Sequence, residues 1–170
     1  MSISDVDIDA ALNGDQTELK KLRHQVRLKA MDLLANREYG YQELERRLLQ
    51  RDFASELVTQ VLSDLVNEGL LSDERFVESF ISSRKRRGKG PVRIRAELRD
   101  RGISELLISE WLDLRDSQWL QCVRDVHDKR FSGEMPKTLN ERARQQRFLS
   151  YRGFTTEQIQ YLFKMEVDDL

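Results

Sequence analysis

The sequence predicts an all-α protein of three tandem three-helix repeats, which resemble helix-turn-helix units and would stack into an elongated, curved array. Apolar residues recur at helical spacing along most of the chain. A pattern of about fifty residues also repeats. Only 2 prolines and 8 glycines interrupt the 170 residues, of which 39% are hydrophobic and 35% charged. This balance is typical of helices with charged outer faces rather than of a strand-rich fold.

The repeat is clearest between segments 40–48 and 90–98, where Leu44 aligns with Ile94. The register continues into the third helix of each unit. A third copy closes the chain, but it matches less well, because Gln145 occupies the place that Leu44 and Ile94 take in the other copies.

Composition and breaks divide the chain into four parts and one irregular loop. The predicted parts are an acidic N-terminal extension (1–20), a first repeat (21–70), a second repeat (71–116) and a third repeat (117–170). Gly133 and Pro136 indicate an enlarged loop inside the third repeat.

Polar residues at the helix ends suggest structural roles. Ser104 and Thr155 can accept hydrogen bonds from free amides in the first turn of the third helices. Arg51, Arg101 and Arg152 recur at the corner that follows the second helix of each repeat. This recurrence favours a structural task, such as binding the last carbonyls of a helix, over contact with a ligand.

Three features bear on the compartment. Cys122 is the single cysteine, which excludes an internal disulfide and fits a reducing interior. The sequence has no apolar run near the roughly 18 residues that span a bilayer. Residues 1–10 carry aspartates rather than the basic flank of a signal peptide. We expect a cytoplasmic protein that does not contact membranes and is a monomer.

Charge is segregated along the chain although the net charge is only -1. Ionisable residues are all acidic from 1 to 19, whereas Glu97 and Asp100 are the only acids between 84 and 101. A charged helix face exposed to water usually alternates in sign, so this basic run favours binding of DNA or of an acidic protein. The candidate residues are Arg84, Lys85, Arg86, Arg87, Lys89, Arg93, Arg95 and Arg99. A secondary basic set comprises Arg46, Arg47, Arg142, Arg144 and Arg147.

Within the basic run, a second-helix register that buries Ile94 and Leu98 would project Arg93 and Arg95 into solvent. The end of the first helix and this second helix would then present one basic edge. Solvation of an ordinary charged face stays the alternative.

Aromatic residues are expected in the core more often than on a binding surface. Phe76, Phe80 and Trp111 align with apolar residues of the other repeat. Trp119 has no such alignment, so its place stays open. Rings that stack on bases usually stand among basic residues on an exposed face, and neither tryptophan has basic neighbours in sequence.

The sequence offers no set of catalytic residues. His24 and His127 lie in different repeats, and no pair of His or Cys residues has the spacing of a metal site. The segment 88–91 lacks the spacing and the Ser or Thr of a phosphate-binding loop. We therefore predict a protein without enzymatic activity, metal or cofactor, in which His127 is an ordinary surface or half-buried side chain.

Three short motifs resemble the bacterial RecX family. They are GLLSDERF at 69–76, RGKGP at 87–91 and ELRDRGI at 97–103, and only the first 20 or so residues fall outside the resemblance. The resemblance implies a regulator that binds RecA filaments on DNA and limits their recombinase and co-protease activities. It implies weak binding to single- or double-stranded DNA without sequence preference. The basic face of the second repeat would lie in the filament groove and act by obstruction.

Two other functions are compatible with parts of the pattern. Three-helix units can be helix-turn-helix domains of a transcription regulator, but Asn and Gln, which read adenine, are absent between Phe80 and Arg101. A nuclease would need metal ligands that the sequence does not supply. Tight binding to one duplex sequence would favour the transcription regulator, and metal-dependent cleavage would favour the nuclease.

Overall fold

The computed structural model describes the backbone of residues 5–165 and the side chains of residues 16–164. This range is all-helical and contains no strand, which confirms the predicted fold class. Its helices are α1 (Asp5–Asn36), α2 (Tyr41–Leu49), α3 (Ser55–Asn67), α4 (Asp73–Arg86), α5 (Pro91–Arg99), α6 (Glu105–Trp111), α7 (Gln118–Phe131), α8 (Leu139–Arg152) and α9 (Thr156–Met165). None of them combines the length and the apolar composition that a bilayer span requires.

The first compact unit ends at Asp73 and holds α1, α2 and α3. Helix α1 begins at Asp5, inside the segment predicted as an acidic extension, and continues without a break into the first repeat. Apolar stripes of the three helices form one core, in which Val26, Ala30, Leu44, Leu48, Val58, Leu62 and Leu65 have no exposed surface. Arg27 donates to both carboxylate oxygens of Glu68, at 3.0 and 2.6 Å, and so ties α1 to the end of α3.

The second compact unit begins at Glu74 and holds the second and third repeats. Their side chains share one apolar core rather than two separate ones. Its fully buried members come from both repeats and include Val77, Ile94, Leu98, Ile108, Val123 and Leu149. The two repeats therefore gain their burial from each other, as expected when a three-helix unit leaves an apolar side open.

A backbone contact between α5 and the end of α8 fixes this packing. Gly90 N donates to Arg152 O at 2.9 Å, and Val92 N donates to Gly153 O at 3.0 Å. The free amides at the start of α5 thus meet carbonyls at the end of α8, which also brings opposite ends of the two helix dipoles together. A Cβ on Gly90 would lie 2.4 Å from the carbonyl carbon of Gly153, so the approach requires glycine.

The weak match of the third repeat has a structural reason. Gln145 is buried at the position where Leu44 and Ile94 enter the core. Its Nε2 donates to Glu134 O at 2.9 Å, which leaves its Oε1 to accept from His127 Nε2, also at 2.9 Å. The expectation that His127 is at or near the surface is wrong, because the imidazole is 0% exposed and satisfied by this amide.

The predicted caps of the third helices are present. Ser104 Oγ accepts from Leu107 N at 3.3 Å at the start of α6. Thr155 Oγ1 accepts from Gln158 N at 3.2 Å, and Gln158 Oε1 accepts in return from Thr155 N at 2.9 Å. The second arrangement is a reciprocal capping box, which satisfies two free amides at once.

The predicted core position is confirmed for Phe76 and Phe80 and is wrong for Trp111. Phe76 and Phe80 are buried, and so is Trp119, whose indole N–H donates to Asp113 O at 2.9 Å. Trp111 is 43% exposed instead of lying in the core. It is the last residue of the seven-residue helix α6, and the next residue, Leu112, leaves helical geometry and fills the core in its place.

Candidate binding surface

The candidate basic residues of α4 and α5 fall into two groups according to their partners. In the first group, Arg84 Nε donates to Glu97 Oε2 at 2.6 Å and Arg93 Nε donates to Glu97 Oε1 at 3.1 Å. Burial by itself would raise the pKa of the Glu97 carboxyl, but the hydrogen bonds and charges of Arg93 and Arg84 outweigh it and lower that pKa. These two guanidinium groups are therefore largely neutralised within the unit.

Arg95 and Arg99 belong to the same group, because both pair with Glu105 at the start of α6. Arg95 Nε donates to Glu105 Oε1 at 2.6 Å, and Arg99 Nε lies 3.8 Å from Glu105 Oε2. The side chains of Arg93 and Arg95 are 32% and 40% exposed, so they reach solvent only in part. The contacts of Arg93 with Tyr151 O and of Arg95 with Glu105 hold α5 against its neighbours.

Arg101 has the structural role predicted for it. Its Nη1 donates to Glu97 O at 2.7 Å, near the end of α5. Its guanidinium carbon lies 4.7 Å from the centre of the Phe80 ring, and that of Arg84 lies 4.6 Å from the same ring. Arg152, its equivalent in the third repeat, donates to Arg87 O at 3.3 Å.

The second group comprises Lys85, Arg86 and Arg87 at the end of α4. Lys85 Nζ donates to the amide oxygen of Gln118 at 2.8 Å, and Arg86 Nη1 donates to Ser82 Oγ at 3.4 Å. The side chain of Arg87 is exposed. Within residues 16–164, no carboxylate forms an ion pair with any of the three, so their charges are available to an external anion.

These three cations line a groove between the end of α4, helix α7 and helix α8, which we call the α4–α8 groove. Its volume is about 720 Å³. The basic lining residues are Lys85, Arg86, Arg87, Lys129, Arg130 and Arg152, and Asp125 is the acidic one. Lys89 lies nearby, and its pKa is lowered by partial burial and by the positive charges of Arg93 and Arg152. The α4–α8 groove therefore carries more positive charge than the acidic residue in its lining can neutralise.

A second groove of about 760 Å³ adjoins the first, and we call it the α7–α8 groove. The two grooves share Arg130 and Phe148. Arg144 and Arg147 of the secondary basic set line the second groove. Arg142, the remaining α8 member of that set, lies over the Phe163 ring at 5.3 Å and lines neither groove.

Lys129 and Arg130 were absent from the sequence-based prediction. They occupy the last turn of α7, just as Arg84, Lys85 and Arg86 occupy the last turn of α4. Helices α4 and α7 are the first helices of consecutive repeats. The basic residues at the equivalent end of α7 could therefore have been found by aligning the repeats.

Arg46 and Arg47 lie in the first unit and are exposed on α2. Arg46 lines a shallow pocket of about 420 Å³ together with Gln42 and Glu45. Arg47 lies 6.0 Å from the centre of the Tyr39 ring, which Arg37 covers more closely at 3.6 Å.

In the part of the chain with described side chains, no group of His, Cys, Asp and Glu could hold a metal ion. Cys122, which lines the α4–α8 groove, has a raised pKa because burial disfavours the thiolate. The observed features are therefore cationic grooves on a helical scaffold, and they define an all-helical repeat protein with a basic surface.

Comparisons with known proteins identify the family. Family models of the first, second and third three-helix domains of RecX match residues 27–65, 72–112 and 116–163. The chain is 47% identical to the regulatory protein RecX of Pseudomonas syringae pv. tomato over 134 residues, which are 79% of this chain and 86% of that protein. It is 46% identical to the RecX protein of Pseudomonas fluorescens over 145 residues, 85% of this chain and 94% of that one.

Solved structures support the same fold. The crystal structure of RecX from Lactobacillus salivarius superimposes with a TM-score of 0.74 at 19% identity, over 89% of this chain and 99% of that chain. A second crystal structure, titled regulatory protein RecX, gives a TM-score of 0.71 at 19% identity, over 95% of this chain and 78% of that chain. The chain belongs to the RecX family of regulatory proteins.

Proposed function

We propose that this chain is a non-enzymatic inhibitor of the RecA recombinase, which binds RecA filaments on DNA and lowers their recombinase and co-protease activities. The family to which it belongs supports a regulatory role. The observation that carries the site is the cluster of Lys85, Arg86 and Arg87, which are cations without a carboxylate partner in the described part of the chain.

The charge pattern separates residues that contact the filament from residues that stabilise the fold. Lys85, Arg86, Arg87 and Lys89 contact the filament, whose DNA carries a dense row of phosphates, and binding gains free energy from the counterions that are released. Arg84, Arg93, Arg95 and Arg99 pair with Glu97 and Glu105 and keep α4 and α5 in place. Arg46, Arg47, Arg142, Arg144 and Arg147 are secondary contacts.

Obstruction of the filament needs no chemical step. A protein that occupies the surface where subunits add or contact one another shifts the filament toward disassembly by mass action. Such a regulator works beside the bacterial chromosome, so we place it in the cytoplasm, as a monomer that binds DNA weakly and without sequence preference.

The test is a titration of the purified chain into preformed RecA filaments on single-stranded DNA, followed by RecA-driven ATP hydrolysis. We expect the wild type to inhibit hydrolysis. The double variant Arg86→Glu/Arg87→Glu should require at least about tenfold more protein, because four units of charge change at the phosphate contact. The control Arg115→Glu/Lys164→Glu makes the same charge change at exposed positions outside both grooves and should inhibit like the wild type.

Each failure has its own meaning. Full inhibition by Arg86→Glu/Arg87→Glu would refute the site, and absence of inhibition by the wild type would refute the function. A wild-type protein that does not bind RecA filaments but binds one duplex sequence tightly would be a transcription regulator instead.

A further inference from the structure

One face of α8 carries the residues that line both grooves. Arg144, Arg147, Phe148, Tyr151 and Arg152 take part in the lining. At a rise of about 1.5 Å per residue, these positions extend over roughly 12 Å of helix. Three cations and two aromatic rings therefore lie along one continuous strip, which we call the α8 strip.

Aromatic rings hold the guanidinium groups of this region in place. Arg152 lies over the Phe148 ring at 5.2 Å. Arg130 lies 5.8 Å from the centre of the same ring and 5.7 Å from that of Phe131, and Arg144 lies 5.9 Å from Phe131. A ring restrains a guanidinium group without cancelling its charge.

This environment differs from that of the arginines on α5. There, Glu97 and Glu105 neutralise the cations. Among the side chains described, no carboxylate forms an ion pair with Lys129, Arg130, Arg144, Arg147 or Arg152. The α8 strip thus keeps its full positive charge for a ligand.

Two of the three acids that line the grooves, Glu141 and Asp125, have other partners. Glu141 Oε2 accepts from Lys137 N at 2.7 Å at the start of α8. Asp125 Oδ1 accepts from the side-chain amide of Gln121 at 2.7 Å. These carboxylates serve helix ends and helix faces, so they do not occupy the arginines of the strip.

Tyr151 gives the strip an exposed ring. It is 73% exposed, and Arg93 lies 5.2 Å from the ring centre while its Nη1 donates to Tyr151 O at 3.3 Å. An open aromatic face among arginines is the arrangement on which unpaired bases stack. In a duplex the base faces are hidden within the helical stack, so this feature favours a single strand.

We propose that the α8 strip, together with Arg130 of α7, binds single-stranded nucleic acid, with phosphates on Arg130, Arg144, Arg147 and Arg152 and a base stacked on Tyr151. The proposal deepens the proposed function, because it assigns a part of the nucleic-acid contact to the third repeat. An acidic protein segment would use the same cations but would gain nothing from the exposed ring, so the nucleic acid is favoured.

The test measures binding of the full chain to a fluorescent oligodeoxythymidylate by anisotropy, without RecA and at several salt concentrations. We expect Arg144→Glu/Arg147→Glu to weaken binding at least about tenfold and to flatten its salt dependence, because phosphate contacts are lost. Tyr151→Ala should weaken binding about tenfold with little change in the salt dependence, and Tyr151→Phe should bind like the wild type, because stacking needs only the ring.

Two controls separate binding from folding and from general charge. Arg115→Glu/Lys164→Glu should bind like the wild type, and circular dichroism melts should show that each variant is folded. The single cysteine gives an independent readout, since Cys122 lines the α4–α8 groove. Bound oligonucleotide should slow alkylation of Cys122 in the wild type.

Three outcomes would overturn the proposal. The first is wild-type affinity in Arg144→Glu/Arg147→Glu. The second is an unchanged affinity in Tyr151→Ala together with equal competition by polyglutamate, which would indicate a site for acidic protein. The third is inhibition of RecA filaments by a wild type that does not bind the free oligonucleotide, which leaves the proposed function standing. Binding of the oligonucleotide without any effect on filaments would support the strip and refute the proposed function.

Discussion

Gly90 and Gly153 contact each other through backbone atoms alone. A Cβ on Gly90 would meet the carbonyl carbon and oxygen of Gly153 at 2.4 Å and the amide of Phe154 at 2.5 Å. Gly153 adopts a φ of +97° at the end of α8, a conformation that side chains disfavour. This contact joins the second helix of the second repeat to the second helix of the third.

The first prediction is that Gly90→Ala lowers the free energy of unfolding of the second unit by about 3 kcal/mol, as overpacking against rigid backbone does. Its backbone φ of -80° is allowed for alanine, so the loss would come from the contact and not from strain. Urea denaturation followed by circular dichroism measures it.

The control for this prediction is Gly133→Ala in the same unit. Gly133 has a φ of +73°, but a Cβ there would meet only Asp128 Oδ1, at 3.8 Å. The strain of a left-handed alanine should cost about 1 kcal/mol. Equal losses in the two variants would contradict the role of the glycine contact.

The second prediction concerns the polar pair in the core of the third repeat. Gln145→Leu should lower the free energy of unfolding by about 2 kcal/mol, because it leaves the buried His127 Nε2 without an acceptor. The double variant Gln145→Leu/His127→Leu should be less destabilised than the sum of the two single variants. The neighbouring exposed change Gln146→Leu should have little effect, and additive losses in the double variant would argue against the pair.

The third prediction follows from the lowered pKa of the Glu97 carboxyl. A carboxyl whose folded-state pKa lies below its ordinary value of about 4.3 stabilises the fold above that pH and loses this contribution as the pH falls through the folded-state pKa. Glu97→Gln should therefore cost about 1 to 2 kcal/mol at neutral pH and progressively less below about pH 4. Denaturant melts from pH 7 to pH 3 measure the difference.

Glu105→Gln is the matched control, because Glu105 pairs with Arg95 and Arg99 on a more exposed surface. Its loss at neutral pH should be smaller than that of Glu97→Gln, as is usual for surface ion pairs. A stability difference between the wild type and Glu97→Gln that does not shrink in acid would refute this account of the carboxyl.

The fourth prediction uses the two tryptophans as reporters. Trp111 is 43% exposed and Trp119 is 4% exposed. In Trp119→Phe the remaining indole should be quenched strongly by iodide and emit at long wavelength, whereas in Trp111→Phe it should be shielded and emit at shorter wavelength. Equally weak quenching by iodide in both variants would place Trp111 in the core.

Local periodicity was enough to predict much of the fold. Leu44 and Leu48, like Ile94 and Leu98, lie at helical spacing, and all four are fully buried. Burial of the third repeat could not be predicted in the same way. Gln145 enters the core because its partner His127 lies 18 residues earlier on another helix, a relationship that periodicity does not contain.

The positive charge of the candidate surface could be predicted from the sequence. Which carboxylates pair with which cations could not. The sequence separates the basic run around Lys85 from the acidic N-terminal stretch. The pair of Arg93 and Glu97 lies at i and i+4 and could be expected. Pairing of Arg84 with Glu97, and the meeting of Lys129 with Lys85 in one groove, depend on how helices cross.

The hydrogen bonds from Gly90 and Val92 to the end of α8 limit how this family member can be shortened. Removal of the third repeat would take away the acceptors Arg152 O and Gly153 O and leave two amides at the start of α5 without these partners. The second and third repeats are thus not independent folding units. A truncated chain that stops after the second repeat would be a damaged fold rather than a smaller regulator.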